Sequence, residues 1–408
     1  MGTKCHITFD NSPEGTFYSG SIITGKVEII LDKKTSVRGI AIKFFGRAST
    51  LWIEGTGNDA TERSGQIDYL SSTTYLIGSD SGSTIVIEPG IHTYNFSCAL
   101  PSQLPSSFEG THGNIRYSVQ IIFDRPWKFD KTYTVGITIL KMVDLNNNDS
   151  PSIRMPCEYQ TSEKFWCGPC ITNPLDIKLK IPQLGYVPGQ AIIVNADIQN
   201  NTKLNIDHVQ MSLIKTIKYY SDDSSNATKK ETLTIVEIKT DEVKPKISKI
   251  FQEFVRIPAI PPTCTNLCKI IHITYDLHIK VKIHGFHTSP IIKFPITIGN
   301  IPLADVITQQ PLSTISRSIN QNNTNTVPVI DNIPVDSIAT IAQDCHISPP
   351  SYQQAVYMSK VNLAKNEEHP ICESPEYVPR YPVYNFSPIA PSLDEIDSPK
   401  YETNGIWI

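Results

Sequence analysis

The sequence has no apolar run of the roughly 18 residues that a bilayer-spanning helix needs, and its start, Met1-Gly2-Thr3-Lys4-Cys5-His6, lacks the apolar stretch of a secretory leader. These absences predict a soluble, intracellular protein. No Lys/Arg run reaches the density of a nucleic-acid binder, so that class of partner is excluded. Nine cysteines are an odd number and are scattered without regular spacing, which argues against a secreted disulfide framework and suits a reducing compartment. Helical stripes are nearly absent. A nucleophile elbow, a phosphate-cradling glycine loop and metal-ligand spacing among the ten histidines are all missing. The expectation is therefore no catalytic residue, no cofactor and no small-molecule substrate.

What is present is an internal repeat. Residues 20–29, Gly-Ser-Ile-Ile-Thr-Gly-Lys-Val-Glu-Ile, align without a gap on residues 189–198, Gly-Gln-Ala-Ile-Ile-Val-Asn-Ala-Asp-Ile. The same offset pairs Val37 with Ile206, Ile40 with Val209, Ile42 with Met211 and Phe44 with Leu213. Farther on, Ile115-Arg116-Tyr117-Ser118-Val119-Gln120-Ile121 matches Ile273-Thr274-Tyr275-Asp276-Leu277-His278-Ile279 at a slightly shorter offset. Each matched segment alternates apolar with polar residues, the period of a strand with one buried face. Gly20, Pro188 and Gly189 stand where turns must deliver the chain into the next strand.

Many short strands punctuated by turns predict an all-β fold, and duplication makes it two tandem immunoglobulin-like β-sandwiches. The first is placed at residues 1–145 and the second at 171–303. The polar, Pro-containing stretch 146–170 reads as the connection between them. Beyond Leu303 the sequence turns to Ser, Thr, Asn, Gln and Pro with a single Gly, too few apolar residues to offset ordering entropy, so residues 304–408 are expected to be a disordered tail. Charge follows these divisions: residues 171–300 hold 16 Lys and Arg against 11 Asp and Glu, and residues 301–408 hold 5 against 12. The mildly basic second domain suits an anionic lipid surface or phosphorylated segments.

Several stretches resemble the arrestin-domain-containing, or α-arrestin, family. In the first half they are Pro105-Ser106-Ser107-Phe108-Glu109-Gly110-Thr111-His112-Gly113 and Arg125-Pro126-Trp127. In the second they are Leu184-Gly185-Tyr186-Val187-Pro188-Gly189, the run from Ile257 to Pro262, and Phe294-Pro295-Ile296-Thr297-Ile298-Gly299-Asn300-Ile301-Pro302-Leu303. The resemblance covers roughly residues 5 to 303. It implies two arrestin-like sandwiches and an adaptor without chemistry of its own. The implied partners are membrane-protein cargo and a HECT-type ubiquitin ligase carrying WW domains. The implied location is the cytoplasm, with peripheral association at the plasma membrane and endosomes.

The tail motif fits that reading. In Pro349-Pro350-Ser351-Tyr352 the two prolines preset a polyproline II segment for an aromatic-lined WW groove, and Tyr352 fills the neighbouring pocket. A second site, Ser374-Pro375-Glu376-Tyr377, has Ser in place of the first proline and reads as weak, with Pro375 and Tyr377 as its remaining anchors. The aromatic string Arg380-Tyr381-Pro382-Val383-Tyr384-Asn385-Phe386 has the look of another short peptide ligand, with no partner legible.

The alternatives centre on cysteine. Trp166-Cys167-Gly168-Pro169-Cys170 is identical to the active-site string of thioredoxins, but that site opens a helix whose N-terminus lowers the thiol pKa, and here a strand pattern follows. A zinc site built from Cys167, Cys170, Cys264 and Cys268 ranks below small buried or linker cysteines. A purely structural scaffold is the third reading.

Overall fold

Alternation decides the fold. Along Ile271–Ile283 every second side chain is buried over thirteen residues, and Ile22–Leu31 and Ala191–Asn200 repeat the pattern over ten residues each. A strand with one such face must lay it on a second sheet. The computed structural model describes residues 3–12, 14–147, 151–167, 170–223, 227–304 and 378–384, and the helical elements lying wholly within these are two 3-10 turns, Gly57–Asp59 and Pro151–Arg154.

The strands form two sandwiches of matching topology. In the first, Lys4–Phe9, Ile22–Leu31 and Gly90–Ala99 face a sheet ordered Thr16–Tyr18, Lys131–Leu140, Gly113–Asp124, Gly39–Glu54 and Thr61–Gly78, with Phe108–Gly110 also paired to Gly113–Asp124. In the second, Cys157–Glu163, Leu175–Ile181, Ala191–Asn200 and Ser248–Arg256 face Gly185–Tyr186, Ile291–Ile298, Ile271–Ile283, Ile206–Tyr220 and Thr228–Lys239. The repeat found in the sequence thus superposes strand on strand. In each sandwich one of the sheets even ends in a short parallel pair, Thr16–Tyr18 on Lys131–Leu140 and Gly185–Tyr186 on Ile291–Ile298. Gly20 and Gly189 make the turn out of these short strands at φ +84° and +96°, a region other residues enter only at a cost.

The repeat extends to side-chain chemistry. Tyr117 and Tyr275 are both fully buried, and their hydroxyls donate to the carbonyls of Pro105 and Pro261, each at 2.7 Å. Tyr117 lies opposite Gly46, where an added Cβ would stand 2.2 Å from the ring. Opposite Tyr275 stands Lys215, also buried.

Two segments depart from the sequence reading. Within the stretch read as a connection, Cys157–Glu163 adds an edge strand to the second sandwich. Its polar composition is that of an edge strand: Glu158 faces solvent and pairs with Lys180 at 2.9 Å. Within the stretch expected to be a disordered tail, residues 378–384 pack on the body of the protein, with Pro379, Tyr381 and Pro382 buried. Prolines lower the entropy lost on ordering, and the tyrosines supply the buried surface that the rest of the tail composition lacks.

Candidate functional site

The two sandwiches share one continuous apolar core, and polar contacts line the boundary between them. Residues of the two halves bond directly here. The Thr50 hydroxyl donates to the Tyr220 carbonyl at 2.8 Å, the Asp222 amide to the Ser64 carbonyl at 3.1 Å, and Arg63 to the Asp223 carboxylate at 3.2 Å. A second group surrounds Glu231, which accepts from Thr111 of the first sandwich at 2.7 Å and from Tyr219 of the second at 2.8 Å. The His112 and Tyr219 rings meet edge to face with centroids 5.5 Å apart.

Lys215 belongs to this group, with its Nζ 5.9 Å from the Phe108 ring of the first sandwich. Burial lowers its pKa, and Glu231 only partly opposes that. The unfolded chain therefore holds this proton more tightly than the folded one, so stability is reduced at neutral pH and recovers as pH rises toward 10.5. Lys215→Met is expected to lack that recovery. The difference between the two chains in urea stability against alkaline pH measures it, with a slope of at most about 1.4 kcal/mol per pH unit for one proton.

On another side of the boundary the chain crosses from one sandwich to the next, and Asn300 holds it. Its Oδ1 accepts from the Val143 amide and its Nδ2 donates to the Lys141 carbonyl, both at 2.6 Å. Asp144 forms a bridge with Ile301, and Leu145, Val187 and Leu303 make a small apolar cluster joined by Ile153 and Tyr384. The tail segment 378–384 lies across this seam. Arg380 reaches Glu14 at 2.6 Å, and the Tyr381 hydroxyl donates to the Ser107 carbonyl at 3.0 Å. On the second sandwich the Tyr384 amide donates to Pro188 at 3.0 Å and its hydroxyl to the Asn300 carbonyl at 2.7 Å.

Gly189, legible in the sequence only as a turn residue, has a second reason to be glycine: an added Cβ would stand 2.0 Å from the Tyr384 carbonyl oxygen. Gly189→Ala is expected to cost about 1–2 kcal/mol from its left-handed backbone alone. It is also expected to strip hydrogen-exchange protection from the Tyr384 amide while leaving the Ile271–Ile283 amides protected, and mass-spectrometric exchange reads both.

The other residues singled out from sequence fall elsewhere. Pro349, Pro350, Ser351 and Tyr352, and Pro375 with Tyr377, lie outside the described residues. Trp127 stands in the hairpin after Gly113–Asp124 at φ +62°, wholly exposed. Cys167 and Cys170 pair across a strand-to-strand hairpin, so Cys170 opens a strand where a thioredoxin would open a helix. Cys264 and Cys268 are buried, and burial raises both thiol pKa values, the reverse of a reactive thiol. Among the described residues no group of three or more His, Cys, Asp and Glu is placed to hold a metal, and the side chains of Cys167 and Cys170 are outside that description.

Two topologically equivalent sandwiches locked across a hydrogen-bonded seam define a tandem β-sandwich of the arrestin type. Residues 5–146 match the family model of the arrestin (or S-antigen) N-terminal domain, and residues 172–303 match that of the C-terminal domain. The chain belongs to the arrestin-domain, or α-arrestin, family. It is 28% identical over 303 residues to arrestin domain-containing protein 17 of Caenorhabditis elegans, covering 72% of this chain and 69% of that protein. It is 24% identical over 306 residues to arrestin domain-containing protein 4 of Mus musculus, covering 72% and 71%. It is 27% identical over 331 residues to the mouse arrestin domain-containing protein 1, covering 81% and 71%.

Proposed function

We propose that this protein is a non-catalytic adaptor in membrane-protein trafficking, whose sandwiches hold cargo and whose tail recruits a WW-domain ubiquitin ligase of the HECT type. Arrestin-domain relatives support the trafficking role. The observation that carries the ligase part is the intact Pro349-Pro350-Ser351-Tyr352 string in the tail that follows two arrestin domains. Two adjacent prolines and a tyrosine two places on are what a WW groove reads, and a proline-preset ligand loses little entropy on docking.

Among the described residues no helix is long and apolar enough to cross a membrane. The positive balance of residues 171–300 favours an anionic lipid surface as the place where the adaptor meets its cargo. Affinity purification from cells of the full chain and of Tyr352→Ala tests the proposal. The ligase is expected with the first and absent from the second, and equal recovery from both would remove the docking claim.

A further inference from the structure

Residues 305–377 separate the segment 378–384 from the second sandwich in sequence, yet it returns to touch both sandwiches at once. Its two halves divide the work. Arg380 and Tyr381 engage Glu14 and Ser107 of the first sandwich, and Tyr384 engages Pro188 and Asn300 of the second. Pro379 and Pro382 are buried beside them, and proline at both positions fixes an extended backbone before contact is made.

The body is shaped for this occupant. The Ser107 carbonyl that receives Tyr381 is held in place because Ser107 bonds the strand Lys131–Leu140 twice, its amide to the Ile139 carbonyl at 2.7 Å and its Oγ from the Ile139 amide at 2.9 Å. The Asn300 carbonyl that receives Tyr384 belongs to the residue whose side chain ties Lys141 and Val143. Gly189 leaves clear the space that the Tyr384 backbone fills. Ser107, Pro188, Gly189 and Asn300 come from three of the five stretches that carry the family resemblance, so stretches far apart in sequence converge on one groove.

We propose that the interdomain seam is a peptide-binding site for a short segment of the form Arg-Tyr-Pro-x-Tyr. Residues 378–384 fill it in cis as an exchangeable ligand, and a peptide of the same chemistry presented in trans replaces them. Recognition uses two phenol hydroxyls on fixed carbonyls and one apolar contact for Tyr384, with the exposed Arg380–Glu14 pair adding little. Tyr377 immediately precedes the seated Val378, so a WW domain gripping Pro375 and Tyr377 would compete with the seam for the same stretch.

The test uses the full-length chain and a fluorescent synthetic peptide of residues 376–386. Tyr381→Ala/Tyr384→Ala disables the cis ligand with substitutions that lie outside both sandwiches. The labelled peptide is expected to bind this variant at least about tenfold more tightly than the wild-type chain, whose own segment occupies the site in most molecules. A peptide carrying the same two alanines is expected to bind neither chain. Equal affinity for the two chains would show that the segment does not fill the site in cis, and no binding to the variant would show that the seam accepts no peptide in trans. Either result overturns the proposal. No WW domain takes part, so failure here leaves docking at Tyr352 standing, and failure of that docking leaves this result unaffected.

Discussion

Tyr275→Ala is expected to destabilise the protein by about 4 kcal/mol or more, since loss of a buried aromatic ring costs about 3–5 kcal/mol and an orphaned buried carbonyl adds about 1–3 kcal/mol. The ring is fully buried, and its hydroxyl is the donor to the Pro261 carbonyl at 2.7 Å. Against a typical net stability of about 5–15 kcal/mol, such a loss leaves a large unfolded fraction. Tyr275→Phe keeps the ring and removes only the hydrogen bond, so its cost is expected to be about 1–3 kcal/mol. Because Tyr117 occupies the equivalent place and donates to Pro105, the Tyr117 pair of substitutions is expected to repeat the same two steps. Urea midpoints at constant m-value measure all four. If either alanine variant loses no more than its phenylalanine counterpart, the ring is not the wedge that its burial indicates.

The duplicated tyrosine shows how much the sequence disclosed. Ile115 to Ile121 and Ile273 to Ile279 align by eye, and alternation assigned both to strands. Their identical hydroxyl bonds to a proline carbonyl could not be read, because Pro105 and Pro261 are brought close by a turn and not by periodicity. The edge strand Cys157–Glu163 escaped for a related reason. A strand at a sheet edge buries too little for alternation to show, and charged residues that read as a linker serve equally well on an exposed edge.

The seam was the least legible part. Asn300, Ser107 and Pro188 receive the segment 378–384 through their backbone carbonyls, and a backbone carbonyl leaves no mark in a sequence. Tyr381 and Tyr384 were visible as an aromatic string in a polar tail, without any sign of what they meet. Gly189 carried the one usable signal, since its turn was predicted, but the reason it also lacks a side chain lies almost two hundred residues on, at Tyr384.

The second large effect concerns Tyr352. In a WW groove the tyrosine fills one of the two pockets that hold the ligand, so its truncation removes an anchor and not a peripheral contact, and anchors of this kind carry about 2 kcal/mol or more each. Tyr352→Ala is therefore expected to weaken binding by about thirtyfold or more, given that each 1.4 kcal/mol is a factor of ten. Tyr377→Ala is expected to change it only a few-fold, because Ser374 has replaced the first proline of that motif and the second site contributes little effective concentration. The direct measurement is a calorimetric titration of isolated tandem WW domains from a HECT-type ligase into the full-length chain, wild type against Tyr352→Ala. The prediction is saturable one-site binding that the substitution abolishes in the accessible concentration range; unchanged affinity in the variant, or no binding to the wild type, would contradict it.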